Sequence, residues 1–79
     1  MNPQIELEIK NRIEADYKMI VENFGTNPFM TRPFVSSTVI NVTEDIVKKY
    51  GTQFQMGYEA ILAIVEPIAE KLRKQYFGQ

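Results

Sequence analysis

The sequence predicts a mostly α-helical domain, and three observations carry that expectation. The last third of the chain sets Phe54, Tyr58, Ile61, Val65, Ile68, Leu72 and Tyr76 at intervals of three and four, with Leu62 and Ala69 on the shoulder. That spacing is the seam of a helix packed lengthwise on other helices. The first third repeats the pattern through Ile5, Ile9, Ile13, Tyr17, Ile20, Val21 and Phe24. Acids also stand four residues before bases, as in Glu6–Lys10, Glu8–Arg12 and Glu14–Lys18, the favourable order on a solvated helix surface. The expected architecture is two long amphipathic helices packed antiparallel, a short third helix, and one extended, strand-like crossover segment.

The first helix is expected over residues 2–24. Asn2 is a favoured N-cap, and Pro3 at the first helical position forfeits no hydrogen bond. Gly25 supplies the left-handed residue that ends a helix, and Pro28 stands ready to stop its continuation. Leu7 lies off the apolar stripe and reads as an ordinary exposed leucine.

Residues 25–42 are expected to form the connector. Its first part, GTNPFMTRPF, holds two Pro-Phe pairs, and each proline biases the residue before it away from helix. Its second part, VSSTVINV, is rich in β-branched residues and free of charge, which is strand composition. A lone strand cannot satisfy its own backbone, so this segment either pairs with another copy or lies as coil across the helices.

A short helix is expected over residues 43–50, capped by Thr43, with Glu44 and Asp45 in its first turn and Ile46, Val47 and Tyr50 on its apolar side. Gly51 would end it. Thr52 and Gln55 fit a capping box opening the long helix of residues 52–77, so the two helices should meet at an angular corner. Pro67, inside the long helix, removes one hydrogen bond and should kink it.

Composition restricts the function. The 79 residues make one small domain, and a chain of this size needs help from disulfides, metal, well-packed helices or oligomerisation. Cysteine and histidine are both absent, which removes disulfides, the common zinc and iron sites, and most nucleophile–base pairs. No catalytic, cofactor-binding or metal-binding residues stand out, and no cofactor is expected. Asp16, Glu22, Glu59 and Glu66 lack a helix-surface base partner, yet acidic bundle sites ordinarily add histidine; solvated surface is the favoured reading. The aromatic set Tyr50, Phe54, Tyr58 and Tyr76 reads as core in preference to a ligand pocket.

Nine basic residues stand against ten acidic ones, without the basic excess of a nucleic-acid binder. Two DNA-binding outlines are nevertheless present. The corner from Ile46 to Ala63 has the order of a helix-turn-helix, and residues 35–42 followed by two helices have ribbon-helix-helix order. Gly57 occupies the place of an apolar anchor in the first, and the second lacks groove-reading side chains apart from Asn41.

The amino terminus has no apolar signal-peptide core, and no uncharged run approaches the roughly 20 residues of a membrane span. A cytoplasmic location is expected, in a cell, an infected host, or a virus particle. Two apolar stripes with little mutual cover imply a dimer or higher oligomer. The expected function is a small non-enzymatic protein–protein interaction protein: an adaptor, an inhibitor, or an assembly subunit such as a viral component. The alternative is a dimeric DNA-binding regulator. The expected partner-binding residues are Phe29, Met30, Arg32 and Phe34, since aromatic side chains, methionine and arginine are enriched at interface cores. The competing reading folds the two phenylalanines and the methionine back into the core.

Overall fold

The computed structural model describes residues 3–78, so the expected cap at Asn2 lies outside it. Three α-helices follow one another: α1 (Pro3–Phe24), α2 (Pro28–Phe54) and α3 (Tyr58–Phe77). Each packs against both of the others. The bundle measures 38 × 19 × 17 Å, about the length of its longest helix at roughly 1.5 Å per residue.

The main correction concerns the middle of the chain. Neither the extended crossover at residues 25–42 nor the separate short helix at residues 43–50 forms; both belong to the 27-residue α2. Thr31, Val35, Thr38, Val42 and Ile46 are buried, and their spacing of four, three, four and four is helical. β-Branched residues are mediocre helix formers by a few tenths of a kcal/mol each. Burial of this stripe between α1 and α3 outweighs that preference, and a helix satisfies its own backbone where a lone strand cannot. The three buried threonines return their hydroxyls to the carbonyls four residues back, Thr31 to Asn27, Thr38 to Phe34 and Thr43 to Val39, at 2.9, 3.1 and 2.7 Å.

The turns carry the second correction. Gly25, at φ +79°, closes α1 as expected, its N–H donating to Val21 O. Asn27 then caps α2, its Oδ1 accepting from Phe29 N at 2.9 Å, and Pro28 takes the first helical position where no N–H is needed. Pro28 therefore opens a helix as well as ending one. Gly51 does not end a helix. It is buried within α2, and a Cβ there would lie 2.9 Å from Met56 O.

The stop comes at Gln55, whose left-handed backbone (φ 54°) is accompanied by Met56 N–H donating to Gly51 O and Gln55 N–H to Thr52 O. These are the paired bonds of a Schellman motif, so Thr52 and Gln55 close α2 instead of forming a capping box for the last helix. Gly57 precedes α3 without a side-chain cap.

Both connections, residues 25–27 and 55–57, are three residues long and reach about 10 Å at most. Each helix must therefore double back on its predecessor. The contacts agree: Phe24 meets Phe34, Arg12 meets Asp45 and Glu8 meets Lys49, so α1 and α2 run antiparallel. Tyr17, far along α1, meets Tyr76 and Phe77 at the end of α3, which makes α1 and α3 parallel. The expected antiparallel pairing of the first and last helices assumed a single crossover, and an intervening helix reverses it. The angular corner is likewise replaced by a long α2–α3 hairpin.

The core joins Ile5, Ile9, Ile13, Tyr17 and Ile20 of α1 to Val35, Val42 and Ile46 of α2 and to Ile61, Val65 and Leu72 of α3, among others. The α1 stripe is the expected one, except that Phe24 emerges to the surface. On α3, Ile64 and Phe77 are buried as well, while Tyr58 and, at the end of α2, Phe54 stand exposed. Pro33 and Pro67 both lie inside helices. The carbonyls that they leave without an intrahelical donor belong to Phe29 and Ala63, both exposed residues, where water can bond them.

Ion pairs form mainly between helices. Arg12 Nη2 lies 2.6 Å from Asp45 Oδ2. Glu8 accepts from Tyr50 Oη at 2.7 Å and from Lys49 Nζ at 3.1 Å. The Tyr50 hydroxyl and then Lys49 hold the Glu8 carboxyl below its ordinary range, and Arg12 does the same for Asp45. Thus Glu8 and Arg12, read in the sequence as partners of each other, each reach across to α2 instead.

Candidate interaction surface

The four expected contact residues come together in the first two turns of α2, on helical rather than extended backbone. Asn27 and Pro28 start that helix sharply, and Pro33 stiffens its second turn. Phe29 is 93% exposed, with Met30 at 59% and Phe34 at 41%. Arg32 is exposed as well, and no carboxylate among the described residues pairs with it. The reading that returned Phe29, Met30 and Phe34 to the core is therefore wrong. Three apolar side chains remain outside a core that is complete without them.

Phe24 joins the group. Its ring stacks on Phe34 with centroids 4.3 Å apart and planes 10° from parallel. In the sequence Phe24 reads as the last member of the α1 stripe. The missed signal was the glycine immediately after it, which places Phe24 on the last turn, where the stripe has run past the end of the core. The stacked pair ties the end of α1 to the beginning of α2 across the three-residue turn. Beside it, Pro28, Phe29, Arg32 and Pro33 line a shallow depression.

The elbow presents aromatic and thioether surface and one guanidinium. Phe29 occupies the second helical position between two prolines, so little backbone freedom is left to lose on association.

Other expected groupings do not assemble. Tyr50 and Phe54 lie 6.0 Å apart at one end of the bundle, whereas Tyr76 packs against Tyr17 at the other. Among the described residues no three acidic side chains gather as a cation site. The helix-turn-helix outline is interrupted because α2 continues to Phe54, and the ribbon-helix-helix outline has no strand in residues 35–42. Among the described residues no helix is long and apolar enough to cross a membrane. Comparison with known proteins finds no matching family model, no matching curated protein and no matching solved structure.

Proposed function

We propose that this chain is a non-enzymatic protein–protein interaction module, an adaptor, inhibitor or assembly subunit, that engages its partner through the α1–α2 elbow. The observation that carries the reading is Phe29, 93% exposed on a rigid helical turn beside the stacked Phe24–Phe34 pair. Exposed aromatic side chains grouped with methionine and arginine are the composition of interface centres. Transfer of one such ring into an apolar cleft contributes about 1.5–3 kcal/mol.

The partner that suits this surface is another protein with an apolar cleft rimmed by carboxylate for Arg32. Self-association is the second reading. It was expected from uncovered stripes and an unpaired strand, and the closed three-helix core removes both motives. The elbow of a second copy then offers one surface through which two chains would meet.

Affinity capture with the intact chain and with Phe29→Ala and Arg32→Ala tests the proposal, with light scattering on the same proteins to register self-association. Both variants should keep the wild-type melting temperature and lose the captured partner. Capture undiminished in both variants would place the contact elsewhere on the bundle.

A further inference from the structure

The seam between α2 and α3 holds an open groove of mixed polar and apolar lining, which reaches the elbow at Pro28 and Arg32. Its larger part, about 300 Å³, is walled by Tyr17 of α1, Val35, Ser36 and Val39 of α2, and Glu66, Ala69, Glu70 and Arg73 of α3. A smaller compartment of about 150 Å³ continues past Arg73 to Thr31, Arg32 and Phe77.

Two features of this groove are unresolved within the chain itself. Tyr17 is fully buried, and among the described residues its hydroxyl is the buried side-chain polar atom without a hydrogen-bond partner. Folded proteins seldom leave such a group alone unless a ligand or water completes it. Arg73 shares the wall with Glu66 and Glu70, yet it pairs with neither; Glu70 turns to Lys74 at 3.6 Å. A donor-rich side (Tyr17, Ser36, Arg73) thus stands next to an acceptor, Glu66, with the charges held apart. Tyr17, Ser36 and Arg73 line the same compartment.

We propose that this groove binds a small zwitterion of the free amino-acid type, its carboxylate held by Tyr17, Ser36 and Arg73 and its ammonium by Glu66. A simple anion is opposed by the two glutamates and a simple cation by the two arginines, whereas a molecule carrying both charges answers both sides. The volume is at the small end of ligand sites. Glu66, Glu70 and Arg73, which line the compartment together with Tyr17, are exposed and can swing aside without disturbing the core.

The test is an NMR titration of the full ¹⁵N-labelled chain with each free amino acid at millimolar concentration, with acetate and methylammonium as separate arms. At least one amino acid should give saturable shifts at the Ser36, Ala69 and Arg73 amides, and neither acetate nor methylammonium should do so. Tyr17→Phe, which keeps the ring, and Ser36→Ala, at an exposed position, should each weaken binding about tenfold through loss of a hydrogen bond to a charged group. Phe29→Ala should leave the titration unchanged, which separates this site from the elbow. The proposal is overturned if no amino acid gives saturable shifts, if acetate alone reproduces them, or if Tyr17→Phe and Ser36→Ala bind as the wild type does.

Discussion

Arg12 of α1 donates to Asp45 of α2 across 2.6 Å, thirty-three residues away in sequence and one helix away in space. With the neighbouring Glu8–Lys49–Tyr50 group, it sets the register in which α1 lies against α2. Asp45 and Glu8 both titrate below their ordinary range because of these partners. A depressed carboxyl contributes stability above its unfolded pKa and loses it as pH falls through the folded value. The melting temperature should therefore be level near neutrality and fall below about pH 4. Asp45→Asn should flatten part of that acid limb, and an acid limb of unchanged slope in this variant would count against the pair.

Tyr17 governs the alkaline side. Burial pushes its hydroxyl up to about 12, so the folded chain holds this proton where the unfolded chain releases it. Stability is then complete below about pH 10 and is lost progressively as pH rises toward 12. The shift corresponds to about 2–3 kcal/mol at most. Tyr17→Phe should remove that share of the alkaline loss and, by deleting an unpartnered buried hydroxyl, leave neutral-pH stability unchanged or raised by about 1 kcal/mol. Parallel melts of the two proteins from pH 7 to 12 check both statements.

Gly51 and Gly57 should respond oppositely to substitution. At Gly51 the added methyl of alanine meets a backbone oxygen at 2.9 Å, and a backbone atom cannot swing aside. Overpacking of this sort costs about 1–3 kcal/mol, more than the roughly 1 kcal/mol that alanine contributes through helix propensity. Gly57 has open space around it and caps α3 without a side-chain bond. Gly57→Asp should add a cap and raise stability by a few tenths to about 1 kcal/mol. Urea titrations of Gly51→Ala and Gly57→Asp give the two signs directly.

Phe29 and Ile46 lie on the same helix with opposite burdens. Phe29→Ala should change unfolding free energy by less than about 0.5 kcal/mol, the range of surface substitutions. Ile46→Ala, at a fully buried position, should cost about 2–5 kcal/mol. A large loss at Phe29 would mean that the elbow stabilises the bundle and is not held in reserve for a partner.

Much of this protein is determined locally. The apolar stripe of α1, its end at Gly25, the last helix around Ile61, Val65 and Leu72, and the absence of cysteine and histidine chemistry all follow from residue type and spacing. So does the concentration of aromatic residues, methionine and arginine at residues 29–34. Each depends on neighbours within one or two turns, which the sequence displays directly.

The tertiary structure decided the rest. Residues 35–42 have the composition of a strand, and only the presence of α1 and α3 on either side makes Val35, Thr38 and Val42 worth burying as a helical stripe. Gly51 resembles a terminator until Met56 is seen crossing against it, and Gln55 enters the left-handed region because the chain must turn there. Glu8 and Arg12 suit each other at a spacing of four, but α2 offers each a better-placed partner. Phe29 could have closed the core or left it, and the choice fell to the register of α2, set by contacts 33 to 42 residues apart in the chain. Local spacing specifies which residues can form a helix; what each helix buries depends on partners brought together only when the chain folds.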